Sequence, residues 1–456
     1  MEVSQPPKHR RSITVDGFED RSTATADGSR SGGIDGEDCP NPKRSTLVVE
    51  LVASLPDDSI VEILSRVPVR SIHRFKCVLR VWRDLITNPL HRKRLPQTLE
   101  GFFYSDVEFH SGCADAPWNY RRHAHRSFIS LSGRSTPFVD SSLSFLTSHP
   151  WVRNDIKLLD SCNGFLLFAN GKVAEAYGTL GYIVCNPATK QWMAVPSSGL
   201  SYPASPAGVS LTYLLIDLAM SPHFHLVQIW QNGFWGEIEV RTYSSETGVW
   251  CHRSSDRRQW IEQGGWEEWV NGAAMLTSTM GSAIIKGMLC FVIFDMVKSE
   301  YQIAAVDREG KTCRNIPLLP ADKHDAGSAL LIGQSQGFLH CVREHARREI
   351  NSPEWAGLSV WVHKDQENNE WELKHKVSFY KLFGKTSCHD GRDYRVLAFH
   401  PDHNMLFLVQ HLPMKLISYD MDSKKLHAFH TPRSSHGQFT PYVPCFLESP
   451  VLANKE

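Results

Sequence analysis

The chain has 456 residues, 41% hydrophobic and 21% charged, which is enough for one large domain and a small one. Lys plus Arg and Asp plus Glu each count 49, so the formal net charge is zero and nothing global points to nucleic acid or anionic lipid. No run of about 18 apolar residues occurs, so no membrane span is expected.

The opening, "MEVSQPPKHRRSITVDGFED", lacks the apolar core of a secretory signal. Residues 1–48 are rich in Ser, Gly, Asp, Pro and Arg and poor in large apolar side chains. Such a segment cannot bury enough surface to offset its ordering entropy, and it reads as a disordered tail. It holds two small basic clusters, at 8–11 and 43–44, of the kind that is usually solvated charge. The eleven cysteines form no C-x-x-C pair. They read as reduced core residues of a nuclear or cytoplasmic protein, not as a disulfide or zinc framework.

Residues 49–96 read as a helical unit. After Leu55-Pro56, Asp57 and Asp58 stand where a first helical turn favours negative charge, and Ser59 with Glu62 has the spacing of a capping box. Ile60, Ile63, Leu64 and Val67 recur at helical intervals until Pro68. A short second helix is expected over 71–76, with Ile72 and Phe75 inward. A third carries Val78, Val81, Trp82, Leu85 and Ile86 and ends before Asn88-Pro89.

From about residue 100 the period changes to two, with turns of Gly, Pro, Asn and Asp. One element repeats: a tight turn and an apolar strand, as "NGFLLF" at Gly164, "KGMLCF" at Gly287 and "QGFLHC" at Gly337, with looser copies near Phe224 and Asn404. A second element, strand, polar turn, strand, ends at Trp192, Trp250 and Trp371, with copies lacking Trp around Cys313 and His427. The two alternate strictly, at a mean period of about 60 residues. Two hairpins per unit describe four-stranded propeller blades, five of them over about 160–430. Strand-like residues at 100–150 and the end, "QFTPYVPCFLESP", together supply a sixth blade that closes the ring and removes free sheet edges. The fold class is therefore mainly β: a small three-helix unit followed by a six-bladed β-propeller over 97–450. The tryptophans of the second element then read as blade-packing groups.

Catalytic and metal signals are weak. "GQSQG" at 333–337 has the form of a nucleophile elbow around Ser335, but it joins two apolar strands, not a strand to a helix. "SSETGVW" at 244–250 reads as a hairpin turn. Cys388, His389, Asp390, His400 and His403 lie near one another in sequence, but without the spacing of a metal site. No phosphate-binding glycine loop is present, and neither cofactor nor metal is expected.

The segment Leu55-Pro56-Asp57-Asp58, Ile60, Ile63 to Pro68, Ser71-Ile72, Phe75 to Val78 and Trp82 to Ile86 resembles the F-box of plant proteins in order and spacing. The downstream chain resembles more loosely the F-box-associated propeller-like (kelch-like) domains of plants, on "NGFLL" and "CNPATKQW". The resemblance implies a non-catalytic substrate receptor of an SCF-type cullin-RING ubiquitin ligase. Its F-box would dock an SKP-family adaptor, and through it cullin and RING subunits, while the propeller holds a target protein. Carried over by position, Leu55 and Pro56 start the docking surface, Ile60, Ile63 and Leu64 supply the first helix, and Val78, Trp82 and Leu85 divide between the small core and the adaptor groove. A three-helix unit of this size exposes more apolar surface than it can bury alone, which agrees with a partner. The family usually has a small polar residue where Leu79 stands, so the third helix lacks an N-cap. Arg66, Arg70, Arg74, Lys76, Arg80 and Arg83 read as a solvated face or one complementary to an acidic partner. For the target, the insertion "RRQWIEQGGWEEWVNG" offers Trp260, Trp266 and Trp269, because aromatic residues dominate binding hot spots. The alternative reading is an adaptor-independent interaction scaffold.

Overall fold

In the computed structural model the described residues are 55–455, apart from 89, 92–93, 97, 108–123, 132–138, 141, 151, 153–155, 171–180, 200–208, 219, 232, 234–237, 253–273, 278–279, 311–312, 319–328, 348–353, 366–369 and 431–437. Three helices come first: α1 (Asp57–Arg66), α2 (Val69–Val78) and α3 (Arg80–Thr87). Prolines place the first two. Pro56 caps α1 and Pro68 caps α2, each in extended backbone that feeds a helix, with its carbonyl accepting the first helical N–H bonds. The helix α1 thus begins at Asp57, and Ser59 lies inside its first turn, so the Ser59–Glu62 pair is not a capping box. α2 runs longer at both ends than the 71–76 expected.

Among the described residues the remainder forms six sheets, each one blade, with two short helices at Ser144–Thr147 and Phe379–Phe383. The first blade is Lys157–Cys162, Phe165–Asn170, Gly181–Asn186 and Gln191–Val195, and the second is Val209–Leu215, His225–Gln231, Ile238–Ser244 and Val249–His252. The third is Ser282–Ile285, Met288–Asp295, Glu300–Asp307 and Cys313–Pro317, with Ala274–Leu276 added on Met288–Asp295. The fourth is Ala329–Ser335, Phe338–Arg347, Glu354–Asp365 and Glu370–Ser378. The fifth is Tyr394–Phe399, Met405–Gln410, Lys415–Asp420 and Lys425–His430. All pairings within these blades are antiparallel.

The repeated turns do what their residues allow. Asn163-Gly164, Lys286-Gly287 and Gln336-Gly337 each take two successive positive φ angles, the signature of a type I′ hairpin. The second repeated element closes on side-chain oxygens. Asn186 Oδ1 accepts from Ala188 N, Asp307 Oδ1 from Glu309 N, and Asp420 Oδ1 from Asp422 N and Ser423 N.

The sixth blade joins the two ends of the propeller. Gln438–Tyr442 pairs with Gly101–Val107, from Ser105↔Gln438 to Gly101↔Tyr442, and Gly101–Val107 pairs with Ala124–Ser130. Ala453–Lys455 then adds in parallel to the outer edge of the first blade. Between each pair of neighbouring blades lies an apolar cluster. Examples are Leu331, Val360, Leu406 and Tyr419 between the fourth and fifth, and Phe103, Leu158, Phe168 and Tyr442 where the sixth meets the first. The ring is thus held by many separate packings, closed by a non-local sheet.

Candidate functional site

The helical unit has its own small core of Ile60, Val61, Leu64, Ile72, Leu85, Ile86 and Leu95. Arg94 completes it from outside, reaching Glu62 at 2.9 Å and Asp58 at 3.2 Å. Leu79 is a single extended residue between α2 and α3, and its side chain caps nothing, as expected from the sequence.

One face of α2 is spent on the propeller. His73, Lys76 and Cys77 fall at i, i+3 and i+4 and point at the propeller end formed by the first turns of the blades. Lys76 Nζ lies 2.6 Å from Asp402 Oδ1, and Thr98 Oγ1 donates to the other carboxylate oxygen. Burial alone would push the Asp402 carboxyl up. The attraction of Lys76 and the hydrogen bonds from Lys76 and Thr98 outweigh it and hold the carboxyl at about 2. His73 packs on Phe446 at 5.9 Å, and burial first, then Lys76, lowers it to about 3, so it is neutral. The Arg70 guanidinium lies 4.8 Å over the same ring. Cys77 Sγ is 3.8 Å from Cys445 Sγ, and the contact with that thiol and burial both push the Cys77 thiol up. From α3, Arg83 reaches Asp217 at 3.0 and 3.2 Å. The expected solvated basic face is thus corrected at two positions, Lys76 and Arg83, which pair with the propeller, while Arg70 stays exposed with its guanidinium over Phe446.

Large apolar side chains remain in solvent. Ile63, Val78 and Val81 are 54%, 55% and 59% exposed, with Leu55, Pro56 and Leu90 also exposed. Phe75 and Trp82, half-buried and edge-to-face at 4.6 Å, tie α2 to α3. Of the eight residues read as adaptor-binding, Leu55, Pro56, Ile63 and Val78 are exposed and Trp82 is half-buried. Ile60, Leu64 and Leu85 are not: they are 5%, 1% and 5% exposed and form the internal core. Their helical spacing suits either face, and only the packing of α1 against α3 decides between them. Val81, three residues after Val78, was missed as a surface residue. Its signal was the same apolar spacing. Trp260, Trp266 and Trp269 lie outside the described residues.

The catalytic motifs resolve as structure. Ser335 is buried and donates to His400 O at 2.8 Å at the end of a strand, with the Gln336-Gly337 hairpin following. His400 Nδ1 accepts from Asp402 N and His403 N, so that histidine shapes a turn. Among the described residues, no group of three or more His, Cys, Asp or Glu is placed to hold a metal ion.

A three-helix unit with large apolar side chains left in solvent, clamped to a closed six-bladed ring, defines an F-box protein whose second module is a propeller. Residues 53–94 match the F-box domain family, and residues 118–449 match the family described as F-box protein At3g26010-like, beta-propeller. The chain belongs to that propeller family. F-box protein At3g26010 of Arabidopsis thaliana is 22% identical over 413 residues, covering 87% of this chain and 83% of that protein. Putative F-box/kelch-repeat protein At4g22430 of the same plant is 23% identical, covering 85% and 83%. F-box protein At5g07610, also from Arabidopsis thaliana, is 29% identical over 209 residues, 42% of this chain and 44% of that protein, so that match spans less than half its length.

Proposed function

We propose that this chain is a substrate receptor of an SCF-type cullin-RING ubiquitin ligase, non-catalytic itself, acting in the nucleus or cytoplasm. The helical unit docks an SKP-family adaptor, and through it cullin and RING subunits, by Leu55, Pro56, Ile63, Val78 and Val81, with Trp82. The propeller holds the target protein. The observation that carries the reading is that Lys76, His73, Cys77 and Arg83 are used on the propeller while the helical unit still keeps Ile63, Val78 and Val81 in solvent. Free thiols at all the described cysteines whose state is given, such as Cys162, Cys290 and Cys341 in the blades, suit a reducing compartment.

Topology supports a place for the target. First strands of the blades run toward the helical unit, so the connections between second and third strands, and those between blades, leave from the opposite end. His252, from which residues 253–273 set out, is at that end. A target held there sits clear of the adaptor.

The test is co-purification with an SKP-family adaptor. Wild type is expected to bind, while Leu55→Ala/Pro56→Ala and Ile63→Glu lose binding, and Ile63→Glu does so with unchanged melting, since Ile63 is exposed and caps no helix. Loss of binding in neither variant, or no binding by wild type, removes the ligase assignment.

A further inference from the structure

Between the outermost strand of the fourth blade and the outer half of the fifth lies an open groove of about 600 Å³. Four lysines line it, Lys374, Lys376, Lys381 and Lys424, together with His375 and Tyr419. They come from three elements: Lys374 and Lys376 from the strand Glu370–Ser378, Lys381 from the short helix Phe379–Phe383, and Lys424 from the turn before Lys425–His430. Lysines on an edge strand ordinarily guard it against pairing with another chain. Guarding needs only the strand's own residues. It gives no reason for lysines of a helix and of the next blade to line the same groove. Nor does general basicity, because the whole chain is neutral.

Lys376, Lys381 and Lys424 have no ion-pair partner among the described residues. Lys374 Nζ donates at 2.9 Å to His340 Nε2, and the other ring nitrogen of His340 lies 3.1 Å from Phe338 O. That pattern is a neutral imidazole, and burial, then Lys374, holds His340 at about 3. His375 is fixed by Tyr419 OH at 3.0 Å, and burial, then Lys424, lowers it from its ordinary value. Carboxylates stand nearby but form no ion pair with Lys376, Lys381 or Lys424: Glu372 pairs with Lys364, Asp422, whose charge acts on His375, accepts from Asn404 Nδ2 at 2.8 Å, and Asp420 accepts from Ser423.

We propose that this groove binds an acidic segment of polypeptide, a run of carboxylate or phosphorylated side chains meeting Lys376, Lys381 and Lys424. The lysines supply the complementary charge, and the open edge of Glu370–Ser378 offers backbone groups along which an extended segment can lie. Nucleic acid is the poorer fit. The groove has no arginine for base edges, and the ring of Tyr419 is packed on His375 at 5.6 Å, leaving no stacking platform. The inference is independent of the adaptor reading, since it concerns the blades alone and is read without any adaptor.

The test measures binding of a fluorescent oligoglutamate peptide to the full chain at low salt. Wild type is expected to bind, with affinity falling steeply as salt rises. The Lys376→Glu/Lys381→Glu/Lys424→Glu variant is expected to weaken binding about tenfold or more, and the milder Lys-to-Gln set to weaken it less. An oligoglutamine peptide should not bind, and Lys190→Glu/Lys286→Glu, exposed lysines outside the groove, should bind as wild type does. Absence of wild-type binding, or equal binding by both groove variants, overturns the proposal. So does retention of inorganic phosphate without peptide, or tighter binding of a single-stranded oligonucleotide than of the peptide.

Discussion

At the scale of single residues, the same turn motif carries two different burdens. Gly164 and Gly337 both occupy the second position of a type I′ hairpin, at φ +90° and +79°. A Cβ on Gly337 would meet nothing within 4 Å, so Gly337→Ala costs only the left-handed backbone strain, about 1 kcal/mol. A Cβ on Gly164 would lie 2.5 Å from both Cβ and N of Cys445 and 2.8 Å from Val443 O. Backbone cannot yield there, so Gly164→Ala is expected to cost about 2–3 kcal/mol more than Gly337→Ala in urea unfolding. Equal costs would show that the C-terminal segment does not press on that turn. The turn itself was legible in "NGFLLF" because glycine at positive φ is a local requirement. The neighbour was not, because it comes from the far end of the chain.

At the scale of elements, the two repeats were legible and their linkage was not. The spacing of the hairpins fixed five blades, and the tryptophans ending the second repeat read as packing groups. The structure adds a specific bond. Trp250 Nε1 donates to Pro196 O at 2.8 Å, and Trp371 Nε1 to Pro317 O at 3.1 Å. Each indole thus ties its blade to the end of the outermost strand of the blade before. Trp250→Phe and Trp371→Phe keep most of the packing and lose the bond, so each should cost about 1 kcal/mol, whereas the alanine variants should cost about 3. Phenylalanine variants as stable as wild type would reduce these contacts to packing alone. In the helical unit the limit was of another kind. Apolar spacing named Ile60, Ile63 and Leu64 together, but a helix has two sides, and α3 takes Ile60 and Leu64 inward while Ile63 stays out.

At the scale of the whole molecule, the ring closes through Gln438–Tyr442 on Gly101–Val107, and a buried ion pair is among the contacts that hold the helical unit to it. The closing strand was legible because an unpaired sheet edge demands a partner. The ion pair was not, since Lys76 sits in a basic stretch that looks solvated and Asp402 in a turn. Lys76→Met leaves the Asp402 carboxylate buried without its ammonium, which should cost about 3 kcal/mol at neutral pH. Lys76→Met/Asp402→Leu removes both charges and should recover most of that loss, a coupling that a double-mutant cycle reads directly. The pH dependence has a definite sign. The folded carboxyl, at about 2, lies below the unfolded value of about 3.9, so wild type has this stabilisation in full above roughly pH 5 and loses it as pH falls from about 4 toward 2. Without Lys76, burial pushes the same carboxyl up, so in Lys76→Met the protonation that comes with falling pH relieves strain. The gap in urea midpoint between wild type and Lys76→Met should therefore be widest near pH 7 and narrow steadily as pH falls through the folded Asp402 value of about 2. A gap that stays constant across that range would mean that Lys76 stabilises the unit by packing of its alkyl stem and not by its charge.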